Sequence, residues 1–202
     1  MKLHSLIALS CLATAVHAAP ETFDFKDPKG VNNAVFKLTA PLETIEGSAS
    51  GISGTVSFDP ENPAETTGKI VVAGESLTVP NPMQQEHMHS AKWLDVAKYP
   101  EITFVAESLA NVKTENNVTT ADVTGIFTLH GVSKEITAPI KLTYLADKLS
   151  ARVPDLKGDL LVIHATFVIS REDFNIQNGH FEDKVSNTIE LSLSIAGASI
   201  IK

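Results

Sequence analysis

The chain has 202 residues, with 24 acidic against 16 basic side chains and a formal net charge of −8. A surface of that sign repels nucleic acid and anionic lipid head groups, so neither is expected to dock on it. One cysteine in the whole sequence provides no disulfide framework, and stability must come from the core of what the length makes a single domain.

Residues 1–18 have the layout of a cleavable export signal. Basic Lys2 precedes an apolar run from Leu6 to Leu12, and small residues lead to Val16-His17-Ala18 before Ala19. The run is far below the ~18 to 20 residues that cross a bilayer. A mature domain over residues 19–202, periplasmic or secreted and with no transmembrane segment, is therefore expected. Cys11 follows Ala8-Leu9-Ser10 while the apolar run is unfinished, which disfavours lipidation against plain cleavage after Ala18. Cleavage there leaves 184 residues, no cysteine, and 15 basic against 24 acidic side chains, a net charge of −9.

From Val31 onward the dominant spacing is two, the period at which strand side chains share a face. Strands are predicted at about 33–40, 54–59, 68–75, 101–113, 118–130, 136–144, 160–170 and 189–195. The clearest alternations are Ile136, Ala138, Ile140, Leu142, Tyr144 and Ile189, Leu191, Leu193, Ile195. Turn signals such as Asp59-Pro60, Glu115-Asn116-Asn117 and Asp147-Lys148 separate them. Residues 82–96 break the pattern: Pro82 suits a first helical turn and no β-branched residue occurs before Val96, which predicts one short helix. About eight half-buried strands fit a sandwich or a closed barrel. The long segments between 101 and 130 favour the barrel. Pro139 conflicts with a regular central ladder and predicts an edge or a bulge there.

Among residues that could carry chemistry, His87 and His89 flank Met88. Two residues apart on a helix, they diverge, whereas zinc-binding helices space histidines by three or four; copper would want more soft donors than two imidazoles and a thioether. Both are therefore read as structural or solvent-facing, with a head-group or metal contact as the sharper alternative, and no metal is expected. No Gly-x-Ser-x-Gly elbow is present, and Ser53, between Gly51-Ile52 and Gly54, is read as a turn residue. The acid pairs Asp155 with Asp159 and Glu182 with Asp183 are read as solvated loops. Arg171 continues the odd-numbered face Leu161, Ile163, Ala165, Phe167, Ile169, which places it at the rim of an apolar wall. A guanidinium there needs an answer. An ion pair with Glu172, Asp173 or Asp95 is favoured over a ligand head group.

Residues 86–104, EHMHSAKWLDVAKYPEITF, carry a histidine-hydrophobe pair, Ser-x-x-aromatic-hydrophobe-Asp and Tyr-Pro-x-Ile-x-Phe in order. Downstream come VTGIFTLHGVSKEITAPIKL (123–142) and ISREDFNI (169–176), with GSASGISGTVSFDPENP (47–63) upstream. This ordered set resembles the YceI-like family. The resemblance implies an all-β, lipocalin-like antiparallel barrel that takes a polyisoprenoid or fatty-acid-like chain, with the head near the mouth and no catalytic residues. Where the family has an Arg-Asp pair before its signature histidine, this chain has Gln84-Gln85.

The reading is a non-catalytic carrier whose only ligand is a lipid, without a further cofactor, sequestering or transferring the chain. Its expected wall is Phe104, Phe127, Leu129, Ile140, Leu142, Ile163, Phe167 and Ile169, with Trp93, Tyr99 and Arg171 at the entrance. A quinone- or haem-associated partner of a membrane redox system is the alternative, and an enzyme ranks third. A homodimer is compatible with the sequence.

Overall fold

The computed structural model describes residues 20–201. The predicted signal segment and Cys11 lie outside the described residues.

Eleven strands form one antiparallel sheet: β1 (Glu21–Asp24), β2 (Asn33–Thr39), β3 (Thr44–Ala49), β4 (Ile52–Phe58), β5 (Thr67–Ala73), β6 (Leu77–Thr78), β7 (Glu101–Glu115), β8 (Val118–Leu129), β9 (Val132–Leu145), β10 (Gly158–Ser170) and β11 (Thr188–Ile200). They reduce to eight wall positions. β2 pairs with β11 from Asn33 to Lys37, and β1 pairs with the same strand lower down, Asp24 against Ala198. The two are thus one wall strand interrupted by the loop 25–32. β3 pairs with β2 and β4 with β1, with a bend at Ser50-Gly51 between them, and β5 and β6 share the next position. The ring closes through β7, β8, β9 and β10 back to β11. Closure removes the free edges that an open sheet of this size would expose.

The alternation predicted in the long strands is what the wall uses. Odd residues of β8, β10 and β11 and even residues of β9 point inward, while outward positions such as Lys141, His164 and Glu190 are exposed. In β7 the register shifts between Ala106 and Ser108 and again between Ala110 and Lys113, where Asn111 has a left-handed φ of 54°. An inserted residue in a strand reverses which parity faces the core. The inward set accordingly passes from Ile102, Phe104 and Ala106 to Leu109.

Four differences from expectation have local causes. Strands β1, β3 and β6 fall outside the expected set: β1 and β6 are too brief to show a period, and Gly47 and Ser48 break the apolar alternation of β3. The helix α1 spans only Pro82–His89: Asn81 caps it by accepting from the N–H of Met83 (3.0 Å) and Gln84 (3.3 Å), but Ser90 turns extended and its hydroxyl donates to the His87 carbonyl (2.7 Å). A second one-turn helix, α2 (Leu149–Arg152), follows β9. Ser53 is a strand residue of β4, paired with Val71, rather than a turn residue. Pro139 lies opposite Asp122 of β8, and the ladder between β9 and β10 stops beside it at Ile140 and Ala165. Its missing N–H therefore costs no bond to β10, which is the edge its presence predicts.

Candidate functional site

The strand directions sort the connections to two ends. At the lower end, Phe23, Phe58 and Tyr144 pack edge-on or tilted with ring centroids 5.9 to 6.5 Å apart, and Phe25 fills the remaining space. Gly197 permits this, because a Cβ there would lie 2.6 Å from the Phe25 ring. Beneath the plug, Asp27 accepts from the backbone N–H of Lys29, Val31 and Asn32 and pairs with Arg152 at 2.9 Å. Asn32 donates to the carbonyls of Phe25 and Ala196 (3.1 Å each) and accepts from Arg152. Burial alone would push the Asp27 carboxyl up, but these donors outweigh it and hold it below the ordinary carboxylate range. Asp159, expected in a solvated loop, is instead buried in β10, where it accepts from the Tyr144 hydroxyl and from the Asp147 N–H (2.7 Å). Burial first, then the hydrogen bond and charge of Asp159, push the Tyr144 phenol upward, so it stays a donor.

Above this plug the barrel is hollow. The buried apolar residues fall into three clusters rather than one, and the space between them is a cavity of about 1200 Å³. Inward residues such as Ile70, Ile102, Phe104, Ile140, Phe167 and Leu193 are only half-buried because they face that space. Close-packed interiors leave few voids larger than a water molecule. A volume of this size is many times the ~30 Å³ share of a single water, so it is a compartment and not a packing defect. Its deep wall is hydrocarbon. Charged and amide groups, including Glu43, Gln84, Lys92, Gln177 and Lys184, gather where α1, the segment after it and the loop 171–187 frame the upper mouth.

Of the residues singled out from sequence, Phe104, Phe127, Leu129, Ile140, Leu142, Ile163, Phe167 and Ile169 all line the cavity, as does Trp93. Tyr99 does not. It stands beside the mouth with its ring edge-on to His130 at 4.8 Å and against Gly131, whose φ of 72° and lack of a Cβ make room for it. The histidine pair is split: His87 lies on the cavity wall, whereas His89 Nε2 bonds the Leu77 carbonyl at 2.9 Å. Sequence reasoning missed the opposite wall, Phe36, Leu38 and Ile45 from β2 and β3 and Leu77 from β6. The alternation of β2 was available as a signal; the two-residue β6 carried none.

Arg171 departs most from expectation. It is 2% exposed and makes no ion pair with Glu172, Asp173 or Asp95. Its Nε donates to the carbonyl of Ser186 (2.9 Å), one terminal nitrogen to Ile176 (2.7 Å) and Gln177 (3.0 Å), the other to His180 (3.2 Å) and Val185 (2.9 Å). Those five bonds use all five N–H groups of a guanidinium. No donor remains for a head group. Instead the cation ties down the loop that carries Phe181, Lys184 and Val185 over the mouth, with Trp93 packed 5.6 Å from its centre and 6.0 Å from the Phe181 ring. Burial lowers its pKa, with Glu182 and Glu172 acting the other way, and an arginine stays charged throughout.

An eight-stranded antiparallel barrel of lipocalin type, plugged at one end and lined with hydrocarbon, is the class that fold and site define. Within it, the model of the YceI-like domain matches residues 25–196, and the chain belongs to that family. Protein YceI of Salmonella arizonae is 30% identical over 153 residues, 76% of this chain and 73% of its own. Three solved structures share the fold. Burkholderia cenocepacia BcnA has a TM-score of 0.64 at 20% identity, over 82% of this chain and 94% of its own. Campylobacter jejuni YceI protein has 0.63 at 19% identity, over 97% and 99%. A polyisoprenoid binding domain from Saccharophagus degradans, implicated in plant cell wall breakdown, has 0.64 at 12% identity, over 89% and 99%.

Proposed function

We propose that this protein is an exported, non-catalytic carrier that holds a long apolar chain, polyisoprenoid or fatty-acid-like, inside the barrel for sequestration or transfer. The observation that supports it is the cavity of about 1200 Å³, with a hydrocarbon wall, an aromatic floor and a polar-rimmed mouth. Family membership and the polyisoprenoid-binding relative point the same way. Each methylene moved from water into such a wall contributes about 0.8 kcal/mol gross, and ordering of the chain keeps the net well below the sum. Because the Arg171 donors are all taken, the tail supplies most of the affinity and the head group meets only the groups at the mouth. The wall residues predicted from sequence, with Trp93 and His87 at the opening, are the contacts proposed for the chain.

Native mass spectrometry of protein purified from its host tests this. A co-purifying species of a few hundred daltons or more, released by solvent extraction, is the expected result. Apoprotein that also fails to take up a titrated polyprenol or fatty acid would overturn the proposal.

A further inference from the structure

The connections at the upper end, residues 40–43, 74–100, 130–131 and 171–187, carry large apolar side chains that stay more than half exposed. Leu42 is 67% exposed, Met83 67% and Phe181 56%. They come from three different connections around one opening, Met83 from α1, since Leu42 and Met83 each adjoin a residue of the cavity mouth, Glu43 and Gln84, and Phe181 is itself part of it. The backbone N–H of Leu42 donates to the Asp183 carbonyl at 2.9 Å, which fixes two of these loops to each other. The same connections hold eight carboxylates against four cations, one of them the buried Arg171; at the opening itself Glu43 stands beside Lys92 and Lys184, and the acid excess lies on the connections around it.

We infer that this rim docks on a zwitterionic lipid bilayer, its apolar tips entering the interface while the carboxylates of the surrounding connections face the outermost ammonium groups of the phospholipids. Two features choose this occupant. The aromatic floor leaves the mouth as the wide way into the barrel for a water-insoluble chain, and docking there spares that chain a path through water. A second copy seated mouth to mouth would oppose two net-acidic ends, and an anionic membrane would be repelled for the same reason. Single exposed apolar residues need no explanation; three placed around one opening do. The inference rests on the carrier reading for its purpose, but the docking can be measured without a bound ligand.

Flotation of the full chain with phosphatidylethanolamine and phosphatidylcholine vesicles is the test, read beside binding of dodecanoic acid in solution. The expected result is partition onto these vesicles that is not strengthened by added phosphatidylglycerol. It should fall about tenfold for each of Leu42→Ser and Met83→Ser. Neither residue lines the cavity, so dodecanoic acid binding should be retained. Val31→Ser with Ile201→Ser, equally exposed but away from the mouth, should float as the wild type. Wild type that binds the acid but does not float overturns the docking and leaves the carrier reading intact; wild type that floats but takes up neither dodecanoic acid nor a titrated polyprenol does the reverse. Unchanged flotation of the Leu42→Ser, Met83→Ser variant, or its conversion from dimer to monomer by sedimentation velocity, also overturns the docking.

Discussion

The Asp27 carboxylate, with its side chain 2% exposed, is surrounded by three backbone N–H donors and the Arg152 guanidinium. Its folded pKa lies below that of the unfolded chain, about 3.9. The stabilisation it gives is therefore complete above that value and is lost as pH falls through the lower, folded one. Urea unfolding should show stability declining below about pH 4. Arg152→Ala should cost about 2 to 3 kcal/mol at pH 7, with a shallower decline in acid because the carboxyl then titrates closer to its ordinary value. Arg171→Leu orphans five carbonyls and should cost about 3 to 5 kcal/mol. Faster hydrogen exchange across residues 176–186 would separate loss of the mouth loop from general destabilisation. The position of Arg171 at the rim was legible, because it extends the odd-numbered face of β10. Its partners were not, since a backbone carbonyl has no residue identity to read. Asp159 was misplaced for a related reason: the Tyr144 hydroxyl that answers it lies 15 residues away, on the neighbouring strand.

Among the elements, those with a sustained period were readable and those defined by pairing alone were not. β8, β9, β10 and β11 announce their inward faces in their side chains, whereas β6 exists because Ser48 and Ala49 offer it a ladder. The helix stops short of the expected Val96 because Ser90 turns extended and its hydroxyl donates to the His87 carbonyl, although helix-compatible composition continues past it. Pro139 was the most informative single residue, since it marks where β9 and β10 part company. Those amides of 132–138 that point toward β10 lack a ladder partner, and they should exchange faster than the paired amides of 140–145, as proton-resolved exchange would show.

At the level of the whole molecule, periodicity could not separate barrel from sandwich, and no sequence pattern states whether an apolar interior is filled. That depends on the ring of eight wall positions, which outsizes the side chains pointing into it. Two measurements follow. Leu193→Trp adds bulk to a wall residue facing the hollow and should lower lipid affinity at least about tenfold without lowering the melting temperature, because the compartment has room for it. Stripping bound lipid should lower the melting temperature by about 5 to 10 °C, the effect of losing a ligand held at roughly 100 times its Kd. Scanning calorimetry before and after solvent extraction checks the second; a titration checks the first.

Trp93 is the only tryptophan in the sequence, and it stands in the mouth between a buried cation and an exposed phenylalanine. The protein thus carries an optical gauge at its own doorway. Any occupant that displaces water from the indole must shift its emission to the blue, so filling and emptying can be timed on unlabelled protein.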